Sequence, residues 1–247
     1  MRRTTAFLLL ILLLLGTVSV CAEGGQSSSS VTEDMIAVPQ AFTDIEAPGD
    51  IAAFGRYPQS AEGGDDTPIE WIVLEIQDGK ALLISRYGLD QKAYQPKKET
   101  VSWETCSLRE WLNGEFYETA FDEVEKSWIA LSDISAEDNP EYGTDAGNDT
   151  QDYVFCLSIT EAKMYFADDA ARRCAPTDWA KAQGSRAAKN YLSPEGMGAS
   201  WWWLRSPGYG MRMAAYIHND GSILDYGRDV NHETGAVRPA VWVRLVP

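Results

Sequence analysis

Asp145, Asn148, Asp149 and Asp152 place four oxygen-bearing side chains within one short loop. A hard cation such as calcium takes six to eight oxygens, and alternating Asp and Asn around a Gly turn is one way to gather them. The spacing is not that of an EF-hand, since no Glu stands at position twelve from Asp145. The competing reading is a network of Asx turns tying the loop to the strand after it. A second cluster lies between Trp201 and Leu245, where three consecutive tryptophans run into Leu204-Arg205-Ser206-Pro207-Gly208. Side chains on a strand alternate, so Trp202 must point away from Trp201 and Trp203. One side enters the core. The other, beside Tyr209, would offer a flat apolar platform to a sugar ring or a peptide. Trp201 and Trp203 are therefore read as structural and Trp202 and Tyr209 as ligand contacts.

The arginines divide in the same way. Arg205 and Arg238 sit in apolar runs, where the planar fork of a guanidinium braces several acceptors at once. Arg212 and Arg228 lie in loop-like surroundings and join His232 as candidate ligand contacts. His218 and His232 are the only histidines, and neither has a Cys or Glu partner at metal-ligand spacing. No Gly-x-Ser-x-Gly elbow accompanies them. No catalytic residue is assigned.

The elements that must position these groups follow from periodicity. Ile69 to Ile76 and Lys80 to Arg86 are two strands around Gln77-Asp78-Gly79, a strong hairpin signal. Leu108, Trp111 and Leu112 fall on one helical face, with Ser107 or Thr105 as the N-cap and Trp111 as a structural residue. Helices are expected over Asp122 to Trp128, after Ser158 or Thr160, and from Thr177 to Gln183. A long polar loop spans 136–152. After Trp203, short apolar runs broken at Asn219-Asp220-Gly221 and at Gly227 read as an antiparallel meander closed by an Arg-Pro strand. Strands first, helices in the middle and a meander last make an α+β plan.

Composition bounds the setting. Arg2 and Arg3 precede the apolar run Phe7 to Leu15, and Val20-Cys21-Ala22 offers small residues for cleavage, so residues 1–22 read as a secretory signal. Cys21 is alternatively a lipidated first residue that anchors the chain to a membrane, although Val20 is a poor residue to precede it. Residues 23–47, rich in Gly and Ser and then acidic, read as a flexible linker. Residues 48–247 are then a single domain. A formal net charge of −16 argues against nucleic acid as a direct partner. Cys106, Cys156 and Cys174 leave an odd thiol, so disulfides do not organise the fold.

The ordered motifs FGRYPQ (54–59), PIEWIVL (68–74), WETCSLREWLNGEFY (103–117), GNDTQDYVFCLS (147–158), WWWLRSPG (201–208) and AVRPAVWV (236–243) resemble an uncharacterised family of bacterial domains often found in exported proteins. More distantly, the Trp-rich and Arg-Pro strands look like the C-terminal core of C-type-lectin-like folds, which include formylglycine-generating enzymes. This resemblance implies a C-type-lectin-like α+β domain with a general tendency to bind ligands. It carries no catalytic residues: the late cysteine pair of the formylglycine-generating enzymes is missing, since no Cys follows Cys174. The Glu-Pro-Asn, Gln-Pro-Asp and Trp-Asn-Asp signatures of sugar-binding C-type lectins are missing too. The expectation is a secreted or surface-anchored, non-enzymatic domain that binds a glycan or a protein, with calcium as the candidate cofactor. The alternatives are an enzyme on the same scaffold and a purely structural envelope module.

Overall fold

The computed structural model describes residues 39–65 and 67–245. The expected signal at 1–22 and the lipidation candidate Cys21 lie outside the described residues. The first described element, α1 (Gln40–Thr43), falls inside the segment read as a linker. Phe42 and Ile45 are buried, and the Phe42 ring meets Phe54 edge-on at 4.7 Å. Two apolar side chains are enough to pin an otherwise polar stretch, so the folded part begins before the expected boundary at Pro48.

An antiparallel sheet is built from β1 (Ile51–Arg56), β2 (Pro68–Gln77) and β3 (Lys80–Ser85). The β2–β3 turn is the one its Asp-Gly pair predicts. Asp78 and Gly79 have φ of 49° and 71°, the left-handed pair of a tight hairpin. The helical layer follows as α2 (Ser107–Trp111), a π-helical turn (Leu112–Phe116), α3 (Tyr117–Ala120) and α4 (Glu123–Trp128). Neither Ser107 nor Thr105 caps α2. The Cys106 sulfur does, accepting the Arg109 N–H at 3.4 Å. Asp122 and Glu125 form a capping box on α4.

The long polar loop is bracketed by a two-stranded ribbon, β4 (Ser132–Ile134) with β5 (Thr150–Asp152). After β6 (Val154–Phe155) come α5 (Ile159–Tyr165), α6 (Asp169–Arg172) and α7 (Asp178–Ala182). Ser158 caps α5 and Thr177 caps α7. The meander is β7 (Trp202–Pro207), β8 (Met213–Ile217) and β9 (Ile223–Asp229). At the β8–β9 turn Gly221 has φ of +92°, and a Cβ there would meet the Asp169 carbonyl oxygen at 1.6 Å, so only glycine fits.

The closing strand β10 (Ala240–Arg244) does not extend the meander. It inserts between β3 and β6, giving the order β1-β2-β3-β10-β6. The reason is its composition: buried Ala240, Val241 and Val243 suit a strand flanked on both edges, not a meander rim. The architecture is α+β with antiparallel sheets and a strand meander near the C-terminus.

Candidate functional site

Strand alternation sorts the three tryptophans as their spacing requires, but all three end in the interior. Trp201 and Trp203 stand edge to face at 4.7 Å, with Tyr216 5.4 Å from Trp201 and Tyr94 5.8 Å from Trp203. Trp202 points the other way, packs against Phe166, and donates its indole N–H to the Arg172 carbonyl at 3.1 Å. It is wholly buried, so the reading of Trp202 as a ligand platform is corrected: both faces of β7 are covered. The α5 and α6 region lies over one and the segment after Leu89 over the other.

Arg205 and Arg238 are buried braces. Arg205 meets Glu161 in a two-pronged ion pair, one arm at 3.0 Å, and also donates to the Cys156 carbonyl at 3.0 Å. Arg238 donates to the carbonyls of Ser85 at 2.9 Å and Arg172 at 3.3 Å, and its guanidinium lies 5.0 Å from the Trp202 ring. Cys106, Cys156 and Cys174 are buried and unpaired. Burial lifts the Cys106 thiol to about 12, which leaves it protonated and inert.

Past Pro207 the chain leaves the core. The Gly208 N–H donates to the Met213 carbonyl at 2.7 Å, closing a tight connection between β7 and β8, and the Tyr209 N–H donates to the Tyr226 carbonyl at 3.0 Å, tying the turn to β9. This turn lifts Tyr209 to 61 % exposure. Beside it stands Tyr142, 48 % exposed, with its ring 6.3 Å away and tilted edge to face. Buried Asn139 holds the two together. Its amide donates to the carbonyls of Pro207 and Asp225, both at 2.8 Å, while its oxygen accepts the N–H groups of Glu141 and Tyr142. A cleft of about 380 Å³ opens next to Tyr209, walled by Met211, Arg212, Met213 and the Lys98–Asp229 ion pair at 2.8 Å. The Arg212 side chain is exposed and makes no hydrogen bond or ion pair among the described residues, while its carbonyl accepts the Val230 N–H at 3.0 Å.

A family model for a domain of unknown function, DUF6273, matches residues 78–245. The chain belongs to this family. No curated protein and no solved structure matches it. The matched span contains the meander, its cleft and the Asn139 brace. It leaves out β1 and all of β2, although both belong to the same sheet as β3 and β10.

Within this DUF6273 domain, Arg228 and His232 do not reach the cleft walls. The Arg228 guanidinium lies over Trp201 at 4.7 Å and over Tyr216 at 4.8 Å, a cation held between two rings. His232 stands edge-on to Trp201 at 5.5 Å. Burial, and then the nearby Arg228 charge, lower its pKa, so it is held neutral. The sequence-predicted ligand set is thus split: Tyr209 and Arg212 share a cleft, Arg228 and His232 form a neighbouring aromatic stack, and Trp202 belongs to the core. His218 pairs with Asp220 at 3.1 Å, but the pair sits on the β8–β9 turn. Burial opposes ionisation of Asp220, yet hydrogen bonds from Ser222 and His218 outweigh it and hold the carboxyl at about 2.

Trp111 is half-buried and forms one wall of a second cleft of about 400 Å³, where the Lys92 ammonium lies 4.9 Å from its ring. The four members of the oxygen-rich loop do not converge. Asp145 accepts the Gly147 N–H at 2.8 Å, Asp149 accepts the Ala136 N–H at 2.7 Å, and Asn148 donates to Glu104 at 3.0 Å. Asp152 is fully buried against Arg109 at 2.6 Å, Trp103 at 2.9 Å and Thr150 at 2.8 Å. Among the described residues no group of three or more His, Cys, Asp or Glu side chains could hold a metal ion. Of the four, Asp145 makes an Asx turn and the other three bind residues remote in the chain. Tyr142, Asn139, Lys98 and Asp229 escaped the sequence reading. Asn139-Pro140 is a turn signal that could have marked the brace, but nothing local in the sequence links it to Pro207.

Proposed function

We propose that the chain is a non-enzymatic binding domain of an exported or surface-anchored protein, and that it captures a polypeptide segment at the end of the meander. The observation that carries this reading is the exposed Tyr142–Tyr209 pair, held by buried Asn139 at the mouth of a cleft. Tyr, Met and Arg are the side chains enriched where proteins meet proteins. Tyr among them supplies wide contact area at little conformational entropy. Met211, Met213 and the unpaired Arg212 complete that composition here. A purely structural module calls for a closed surface around 201–235, and the cleft speaks against it. A C-type-lectin-like arrangement is the finer fold reading, supported by the Trp-rich and Arg-Pro strands and by ligand-facing loops that interrupt a packed meander. The charge and apolar pattern of residues 1–22 supports export, and the mass of the mature N-terminus separates cleavage from a lipid on Cys21.

Peptide and glycan arrays probed with the mature protein test the proposal. Peptides should bind, and Tyr209→Ala or Arg212→Ala should weaken them about ten-fold or more with an unchanged melting temperature. Peptide binding that ignores both substitutions, or none above background, refutes it.

A further inference from the structure

A third cleft, of about 440 Å³, lies away from the meander end, between the β2–β3 turn, residues 131–137 and α5. Its volume is in the ordinary range for small-ligand sites. Trp242 of β10, half-buried, lines it with Tyr165 of α5. Both aromatic groups are held in place. Trp242 stands opposite Leu82 in the sheet, and the Tyr165 hydroxyl donates to Glu75 at 2.5 Å. The Arg205–Glu161 pair forms part of the wall and neutralises itself. Around this frame stand polar groups with capacity to spare. The side chains of Glu137, Gln77 and Lys80 and the Trp242 indole N–H make no hydrogen bond or ion pair among the described residues, and Asp133 uses one oxygen on Gln151 at 3.0 Å.

The lining selects the ligand by exclusion. A strong anion would face Asp78, Asp133 and Glu137, with Lys80 as the one unpaired cation of the lining among the described residues. An apolar side chain would strip water from those carboxylates and return nothing. A metal ion finds no three converging ligands among the described residues. A polyhydroxylated ring meets every group. Its C–H face stacks on the indole, its hydroxyls donate to the carboxylates, and its oxygens accept from the amide and the ammonium.

We propose that this cleft is a saccharide site, with Trp242 as the stacking platform and Glu137 and Asp133 as hydroxyl acceptors. It is separate from the polypeptide site at Tyr209 and stands or falls independently of it. The test is titration of the mature protein with glucose, galactose, glucosamine and N-acetylglucosamine, followed by ligand-observed NMR and by the indole N–H resonance of Trp242. At least one sugar should bind saturably, in the millimolar range ordinary for a single ring, and shift that resonance. Trp242→Ala should weaken it about ten-fold. Glu137→Gln, at an exposed side chain that leaves folding intact, should weaken it several-fold, and Tyr209→Ala should change nothing. The proposal is overturned if none of the four sugars binds saturably, or if binding survives Glu137→Gln and leaves the Trp242 resonance unmoved. It is equally overturned if spermidine binds the cleft where no sugar does. The Glu137 and resonance readouts keep the test decisive if Trp242→Ala fails to fold.

Discussion

Arg205 and Arg212 flank the same turn, and the molecule treats them in opposite ways. Arg205 is buried, gripped by Glu161 and by backbone carbonyls, and fixes β7 to α5. Arg212 is exposed, unpaired and part of a cleft wall. The residue type is the same; what differs is whether the surroundings have already satisfied its donors. A satisfied guanidinium is architecture, and an unsatisfied one is available to a ligand.

The largest effect expected from this contrast is on the buried side. Glu161→Ala strands the Arg205 charge and removes the acceptor for the Ser158 N–H in the α5 capping box. Breaking one partner of a buried pair costs about 3–5 kcal/mol, read as a lower midpoint in chemical denaturation. Arg212→Ala should stay within about 0.5 kcal/mol. If Glu161→Ala is equally silent, the division between brace and ligand contact fails.

Asn139→Ala comes next and joins the two regions. It leaves the carbonyls of Pro207 and Asp225 and the N–H groups of Glu141 and Tyr142 without their partner. Unsatisfied buried groups cost about 1–3 kcal/mol. Tyr142 should also lose its place beside Tyr209, so ligand affinity should fall although Asn139 touches no ligand. Affinity unchanged at the expected loss of stability would show that the tyrosine pair is not the site.

These cases show why part of the molecule could be read in advance. Alternation around Trp202, the Asp78-Gly79 hairpin and the cap at Ser158 are local, decided within a few residues, and the structure keeps them. The fate of Trp202 was not local. Whether either face of β7 stays open depends on Phe166 and on the segment from Leu89 to Tyr94, both remote in the chain. The insertion of β10 between β3 and β6 is likewise a choice among distant partners. Trp242 and Glu137 are drawn together only by that choice, so neither stood out in the sequence.

A smaller effect sharpens the line between cleft and stack. His232 has a lowered pKa in the folded state, from burial and then from Arg228. The unfolded chain therefore binds the proton first. Stability from this group is complete above the unfolded value of about 6.5 and is lost as pH falls through the folded one. His232→Gln should flatten that slope in melts across mildly acidic pH. A slope that survives the substitution assigns the effect elsewhere, and a slope of opposite sign would mean that His232 gains a partner on folding.

The smallest expected effect is none at all, and it concerns the oxygen-rich loop. Asp145 and Asp149 each already accept a backbone N–H, Asn148 is turned to Glu104, and Asp152 is closed off by Arg109, Trp103 and Thr150. A calcium ion would have to displace Arg109 from a buried carboxylate and draw together groups that now face separate partners. A specific ligand present at a hundred times its dissociation constant adds about 2.7 kcal/mol, which moves the melting temperature of a domain this size by several degrees. Melts in calcium and in chelator should therefore coincide. A rise of several degrees in calcium, abolished by Asp149→Asn, would return the loop to the functional side of the comparison and place a cation beside the brace that holds Tyr142.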